Sequence, residues 1–177
     1  KKKKKRCKLC GVGTEQYPAA QGTGLHFGCV IDKAWASAPP GDVTGEQMRI
    51  VADLAEKYGF GEVRVAHEQN LVLPDIRKRD LYVLWKALQA QNLATPNVGL
   101  LSDVIACPGG DYCSLANARS LPVARAIQQR FDDLDFLHDL GGLSLNISGC
   151  VNACGHHHIG NIGILGVDKH GEEFFQR

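Results

Sequence analysis

Residues 143–167 read LSLNISGCVNACGHHHIGNIGILGV and place a pair of cysteines directly between two β-rich segments. Apolar and polar residues alternate through the first six positions, which predicts a half-buried strand running straight into Cys150 and Cys154. The last nine positions predict a glycine-laced strand. A second pair lies in the Gly-rich loop Cys107–Cys113, CPGGDYC. Because each pair follows a regular element, the two loops are expected to meet around one metal centre.

The four cysteines of these loops supply two pairs of thiolates, which suits a [4Fe–4S] cubane. Gly109 and Gly110 would let the backbone pass close to an inorganic core and leave amides free to donate to sulfide. Structural zinc is an alternative, although it favours cysteines two to four residues apart and C-x5-C lies outside that range. Two disulfides, or four buried thiols without a ligand, are further alternatives.

Composition narrows the class of protein. The chain has 177 residues, of which 44% are hydrophobic, and its net charge is +1. That length allows one substantial core or two small ones, and the near-neutral charge predicts no nucleic-acid partner. No run of about 18 apolar residues occurs, so we expect no membrane span. Seven cysteines, an odd number without an export signal, favour metal-ligating thiolates in a reducing cytoplasm over disulfides.

The N-terminal residues 1–23 are basic, then Gly-rich, and lack periodicity, so they are predicted to form a disordered tail. Cys7 and Cys10 form C-x2-C within it. Two cysteines alone cannot complete a zinc or cluster site, so this pair is either without function or part of a site shared with another chain. Cys29 falls in a predicted strand and is interpreted as a small buried hydrophobe.

The segment that follows alternates strands with helices. The β-rich stretches are 25–31 and 62–73, the second being polar in its middle and closed by Pro74. One helix begins with a capping box, Thr44-x-x-Gln47, and ends at a glycine; a later one carries a stripe of leucines and ends near Asn92. Strand, helix, strand, helix is half of a ferredoxin-like split βαβ arrangement.

We therefore predict an α+β chain in which residues 24–96 form a ferredoxin-like half-domain. Residues 97–177 would form an α/β domain that carries both cysteine loops. Between those loops, residues 115–130 and 132–140 are predicted to be helical, with Pro122 in a first turn or at a break.

Several polar residues are open to more than one interpretation. Gln69 and Asn70 lie in the polar middle of a predicted strand, where they would face a cofactor or form a turn. Residues 77–79 (RKR) form either a solvated face or a contact with cofactor carboxylates or an acidic electron donor. The three histidines 156–158 are assigned to packing or hydrogen bonding, to proton supply or to a metal.

CPGGDYC followed by SLANARS (107–120), and SGCVNACGHHHIGNIGILG (148–166), resemble the sirohaem-dependent nitrite and sulfite reductase family. Upstream, GLHFGCVI (24–31) and GEVRVAHEQNLVLPDI (61–76) are similar to the domain that precedes the cluster in that family. The resemblance covers roughly residues 24 to 176. It implies a sirohaem and iron–sulfur cluster domain in the second half of the chain.

The resemblance also implies roles for single residues. Cys107, Cys113, Cys150 and Cys154 would hold a [4Fe–4S] cluster, and the sulfur of Cys154 would also bridge to the iron of sirohaem. Asn152, inside the CVNAC motif, would be a cofactor-binding residue. The implied activity is the six-electron reduction of sulfite to sulfide or of nitrite to ammonia, with a ferredoxin or flavoprotein as electron donor.

One departure from the family pattern stands out. Full-length members contain two copies of this unit, and the first carries an R-x-T-x-R-Q stretch that binds the substrate anion. Here residues 64–69 read RVAHEQ, with Glu68 where the second arginine would be. The chain is therefore interpreted as a second copy. The cations that bind the substrate anion would come from another repeat or subunit. Within this chain, Arg119 is the nearest basic residue after the first cysteine loop. The alternative is an iron–sulfur electron-transfer or structural subunit without substrate chemistry.

Overall fold

The computed structural model describes the backbone of residues 26–31 and the whole of residues 42–177. The predictions for residues 1–23, for Cys7 and Cys10 and for the side chain of Cys29 lie outside the described residues. The chain divides into two compact units, the first of which includes residues 42–98 and the second residues 99–177. Helices and strands are mixed in both, so the predicted α+β class is confirmed. In the described part of the chain, no helix is long and apolar enough to cross a membrane.

The first unit is a three-stranded antiparallel sheet in the order β1-β3-β2, with two helices. Its core is aliphatic and comes from both helices and from β3; the buried members are Val51, Leu54, Ala55, Leu73, Ile76, Leu84, Leu88 and Leu93. The elements are β1 (His26–Ile31), α1 (Gly45–Tyr58), β2 (Arg64–Val65), β3 (Leu71–Arg77) and α2 (Leu81–Gln89).

The predicted capping box is present at the start of α1. The Thr44 hydroxyl accepts from the Gln47 N–H at 3.2 Å, and the Gln47 side chain accepts from the Thr44 N–H at 2.9 Å. Such a cap stabilises a helix by about 1 kcal/mol. The helix ends at Gly59, as its sequence predicts.

The prediction of one strand over residues 62–73 is wrong. The polar middle is a turn, so the stretch forms a hairpin of β2 and β3, and β3 runs through Pro74 to Arg77. Pro74 is tolerated because the β1–β3 register shifts there: Phe27 pairs with Ile76 and Cys29 with Leu73, which leaves Pro74 in a bulge. A residue without an N–H loses no ladder hydrogen bond at such a position.

The second unit is a four-stranded sheet in the order β4-β5-β6-β7, parallel from β4 to β6 and antiparallel between β6 and β7. Helices α3 and α4 connect β4 to β5, as a parallel pair requires. The elements are β4 (Ile105–Ala106), α3 (Ser120–Arg130), α4 (Leu134–Leu140), β5 (Leu145–Ser148), β6 (Ile162–Lys169) and β7 (Glu172–Gln176).

Three details of this unit correct the sequence predictions. Helix α3 begins at Ser120, five residues later than predicted, and Pro122 lies in its first turn. All four residues of β5 are buried, so this strand is not half-buried. Before β6, His157–Ile159 form a short 3₁₀ turn in place of the predicted start of the strand. The antiparallel edge strand β7 was not predicted.

Candidate metal centre

The two cysteine loops leave the same edge of the second sheet. Strands β4 and β5 are parallel neighbours in which Ala106 lies opposite Ile147. Cys107 follows β4 at once, and its N–H donates to the carbonyl of Ile147 at 3.1 Å. Cys150 follows β5 after a single glycine. The carboxyl ends of parallel strands are where open α/β sheets bind ligands.

Backbone hydrogen bonds join the two loops. The N–H groups of Asn117 and Ala118 donate to the carbonyl of Gly149 at 2.9 and 3.0 Å. The N–H of Gly149 donates to the sulfur of Cys107 at 3.0 Å, and the Ser120 hydroxyl lies 3.6 Å from that sulfur. Cys107 and the segment that follows the first loop are thus held against Gly149, the residue directly before Cys150.

Close packing of the loops depends on two glycines. Gly109 has φ +61°, and a Cβ there would lie 2.6 Å from the Ala118 carbonyl oxygen. A Cβ on Gly149 would lie 2.8 Å from the Cα of Gly109. Both distances are far below van der Waals contact, so a side chain at Gly109 would displace the segment at Ala118 and one at Gly149 would force the loops apart. The structural need for Gly109 is therefore this approach of backbone to backbone.

The four cysteines differ in exposure and are all free thiols. Cys107 and Cys150 are buried, Cys113 is half-buried and Cys154 is exposed. In the described residues, no group of three or more His, Cys, Asp or Glu side chains lies close enough together to hold one metal ion. The structure thus brings the loops together without gathering the four sulfurs, and the four-cysteine ligand set stays a prediction.

The second loop is a chain of tight turns. The Ala153 N–H donates to the Cys150 carbonyl at 3.2 Å, and the His156 N–H donates to the Ala153 carbonyl at 2.8 Å. Ala153 and His156 both have positive φ, +56° and +52°. Such backbone conformations are costly for residues with a Cβ and tend to occur at functional sites. Asn152, predicted to bind a cofactor, is exposed in this loop.

The sequence prediction overlooked two buried polar residues of β5, Asn146 and Ser148. Both hydrogen-bond to the backbone that follows Cys154, at Gly155 and His156. Strict alternation of polar and apolar residues placed them on a solvent face. The sequence carried no signal for this, because β5 is covered on both faces only through its pairing between two parallel neighbours, and a polar side chain buried there needs a partner.

The three histidines lie at the 3₁₀ turn before β6: His157 and His158 are within it and His156 directly precedes it. His156 and His158 are exposed and His157 is half-buried. The rings of His157 and His158 meet edge to face with centroids 5.6 Å apart. The Nδ1 atom of His157 is buried without a hydrogen-bond partner. The three interpretations of the histidines, packing or hydrogen bonding, proton supply and metal binding, stay predictions.

Gln69 and Asn70 belong to the first unit and form the turn of the β2–β3 hairpin. Gln69 has φ +63°, and its N–H donates to the Ala66 carbonyl at 3.1 Å. The Ala66 N–H donates to the Asn70 carbonyl at 2.7 Å. Their placement inside a strand was wrong, and the alternative of a turn describes their backbone. A role in cofactor binding stays a prediction.

Two of the candidate cations are engaged by carboxylates. The Arg119 guanidinium lies 3.1 Å from the Glu173 carboxylate, which also accepts from the Arg119 N–H at 3.3 Å. Arg64 is paired with Glu62, and its hydrogen bond holds the pKa of that carboxyl below its usual range. The basic residues at 77–79 are exposed.

The chain is similar to known nitrite and sulfite reductases. Residues 18–91 match the family model described as the nitrite/sulfite reductase ferredoxin-like half domain. The chain is 33% identical over 134 residues to the chloroplastic ferredoxin–nitrite reductase of Zea mays, covering 72% of this chain and 22% of that protein. It is 31% identical over 140 residues to the assimilatory ferredoxin-dependent nitrite reductase of Haloferax mediterranei, covering 77% and 24%.

A solved structure is similar over most of the chain. The NirA protein of Mycobacterium tuberculosis aligns with a TM-score of 0.66 at 27% identity, over 89% of this chain and 29% of that one. A dissimilatory sulfite reductase aligns at 15% identity with a TM-score of 0.59, which shows a shared fold alone. The chain spans about a quarter of the length of the curated relatives it matches.

Proposed function

The chain belongs to the nitrite and sulfite reductase family, and we propose that it is the cluster-bearing part of such an enzyme. The reaction would be the reduction of nitrite to ammonia or of sulfite to sulfide, dependent on a [4Fe–4S] cluster and sirohaem. The observation that carries the proposal is the meeting of the two cysteine loops at one sheet edge, held together at Gly149. The two named nitrite reductases, and a sulfite reductase of Mycolicibacterium paratuberculosis that is 29% identical over 130 residues, support the general reaction.

The residues present fit an iron–sulfur cluster chemically. Four thiols without disulfide partners are the soft ligands that iron–sulfur clusters require. The N–H of Gly149 already donates to the sulfur of Cys107 at 3.0 Å, and hydrogen bonds of this kind stabilise cluster thiolates and tune their potential. Cys107, Cys113, Cys150 and Cys154 would hold the cluster. Bound together, cluster and sirohaem would supply one-electron transfer and an iron centre for the anion.

We expect the cysteines to have different tasks, in line with their different exposure. Cys107 and Cys150 are buried and would anchor the cluster where water is excluded. Cys154 is the exposed member of the set, so its sulfur remains open to a second group on the outer side of the loop. This exposure supports the shared-ligand role that the motif implies for Cys154.

Substrate binding would draw on residues from outside this cysteine-bearing unit. A buried anion must be surrounded by donors or positive charge to leave water. Arg119 follows the first loop but is paired with Glu173. In the other unit, Arg64 is paired with Glu62. The converging cations would therefore come from a second repeat or subunit, and a ferredoxin would be the electron donor, as in the named nitrite reductases.

The test is anaerobic reconstitution of the full chain with iron, sulfide and sirohaem, followed by metal analysis and absorption spectroscopy. We expect equal amounts of iron and acid-labile sulfide, together with a bound sirohaem band. Cys150→Ala should lose most of the iron, whereas the matched control Cys29→Ala, in β1, should retain it. Stoichiometric zinc without sulfide would refute the proposal. A cluster without sirohaem would point instead to an electron-transfer subunit.

A further inference from the structure

Two polar side chains of β5 are buried where the strand faces the second cysteine loop. Asn146 is 2% exposed and Ser148 is fully buried. They are two residues apart, so they project from the same face of the strand. Neither is accounted for by the predicted ligand set.

Both side chains hold the backbone directly after Cys154. The Gly155 N–H donates to the Ser148 hydroxyl oxygen at 3.1 Å. The Asn146 amide donates to the carbonyls of Gly155 and His156 at 3.0 and 3.2 Å. The first of these bonds orients the peptide group that joins Cys154 to Gly155, and the other two fix the next two peptide groups.

The turn is pressed against β5 at this point. A Cβ on Gly155 would lie 1.9 Å from the carbonyl oxygen of Ile147, so no residue but glycine fits. Ala153 and His156, on either side, have positive φ. Positive φ is unfavourable for residues with a Cβ, so this turn has to be held by other interactions. The hydrogen bonds from β5 are such interactions.

The orientation of the Asn146 amide is decided by its partners. Both are carbonyl oxygens, so the NH₂ group must face them. Its Oδ1 is then buried without a partner, which is unfavourable for a polar atom withdrawn from water. A leucine of similar size would leave no buried oxygen unpaired, but it could donate no hydrogen bond. The two donated bonds therefore account for an asparagine at this buried position.

We infer that Asn146 and Ser148 are positioning residues for Cys154. Cys154 is exposed, so the backbone that these two residues hold determines the direction of its Cα–Cβ bond and limits the positions that its sulfur can reach. The inference rests on the proposed function, in which the Cys154 sulfur is shared by two metal centres. Residues that orient metal ligands in this way typically alter metal affinity about 10- to 100-fold when they are replaced.

The experiment compares Ser148→Ala, which removes the acceptor, and Asn146→Asp, which removes both donors at nearly constant size. The matched control is Asn161→Asp: the Asn161 Oδ1 accepts from the Ser144 N–H and hydroxyl at 2.9 Å, and an aspartate keeps both bonds. Circular dichroism checks the fold, and Ser148→Ala decides alone if Asn146→Asp does not fold.

Two readouts are measured on the full chain. Without cofactors, amide hydrogen exchange at Gly155 should be at least about tenfold faster in Ser148→Ala than in the parent, because the N–H loses its partner. With the cluster loaded to equal iron content, iron release to a chelator should be about tenfold faster in both variants. The electron paramagnetic resonance spectrum of the reduced cluster should also change, while the control matches the parent.

The possible results distinguish a failure of the proposed function from a failure of the positioning role of Asn146 and Ser148. A parent chain that takes up no iron and sulfide would refute the proposed function and the inference with it. A parent that assembles the cluster, with both variants releasing iron at the parental rate and showing the parental spectrum, would refute the inference alone. A lower melting temperature with an unchanged cluster spectrum would also count against it, because that is the result of a purely structural role.

Discussion

The N–H of Gly149 donates a hydrogen bond to the sulfur of Cys107, at 3.0 Å, across the gap between the two cysteine loops. The carbonyl of the same glycine accepts from the N–H groups of Asn117 and Ala118. Directly before Cys150, Gly149 thus binds Cys107 through its donor and the segment after the first loop through its acceptor.

Gly149→Ala should therefore separate the loops. The added Cβ would lie 2.7 Å from the carbonyl oxygen of Ala118 and 2.8 Å from the Cα of Gly109. We expect a loss of about 1–3 kcal/mol in the free energy of unfolding, together with most of the iron. Urea unfolding and iron analysis measure the two effects.

Gly142→Ala is the matched control for that substitution. The nearest atom to its added Cβ would be the Gly99 carbonyl oxygen at 3.6 Å, an ordinary contact. Its unfolding free energy should stay within about 0.5 kcal/mol of the parent. Equal effects of the two substitutions would show that the contact at Gly149 has no special importance.

Cys113→Ser and Cys154→Ser should differ in their effect on sirohaem. Both remove a thiolate, and a hydroxyl is a poor replacement, so both should damage the cluster. Only Cys154→Ser should also change the sirohaem absorption and magnetic spectra directly, because one sulfur would belong to both centres. A Cys154→Ser protein with a normal cluster and an unchanged sirohaem spectrum would contradict the shared-ligand role.

The ion pair between Arg119 and Glu173 should contribute little to stability. Its side chains are 59% and 38% exposed, so water and salt screen the attraction. Glu173→Gln should lower the free energy of unfolding by less than about 1 kcal/mol at low salt, and less still at high salt. Glu172→Gln, on the same exposed strand, is the control. A loss of several kcal/mol would mean that the pair holds β7 in place.

Turnover of the isolated chain should be poor. Arg119 follows the first cysteine loop, and Arg64 begins the stretch 64–69 that corresponds to the substrate-binding motif of the family. Each of these arginines is paired with a carboxylate. A missing charge partner for a developing anion typically costs about 10²–10³ in rate. Nitrite and sulfite reduction should therefore be at least about a hundredfold slower than in a two-copy reductase assayed in parallel.

That assay uses an artificial electron donor and chain that is loaded with both cofactors and confirmed monomeric. Adding an arginine-bearing partner unit should restore activity. Turnover equal to that of the two-copy enzyme would instead assign anion binding to residues of this chain, with Arg64, Arg119 and the basic residues at 77–79 as the first to substitute.

Local chemistry made part of the fold predictable. The Thr44–Gln47 capping box needs only four consecutive residues, and the structure contains it as predicted. Pro122 had to lie in a first helical turn or at a break because it has no N–H, and it lies in the first turn of α3. The cysteine spacing, with its glycines, identified the two loops because neighbouring residues alone determine that pattern.

The errors arose where distant residues decide the outcome. Pro74 was expected to end a strand, but the register shift opposite β1 provides a bulge that accepts it. Residues 115–119 were expected to be helical, but the Asn117 and Ala118 amides bond to Gly149, far along the chain. Intrinsic helix propensity amounts to a few tenths of a kcal/mol per residue, so tertiary hydrogen bonds override it.

By itself, the sequence determined the α+β class, the capped first helix and the two cysteine loops, because each depends on residues close together in the chain. The burial of β5 on both faces depends instead on strands that are distant in the chain. That burial turns Asn146 and Ser148 from supposed surface residues into the partners of the turn after Cys154. The physical reason is that a polar group withdrawn from water must find a partner, and which partner lies within reach depends on how the strands pair.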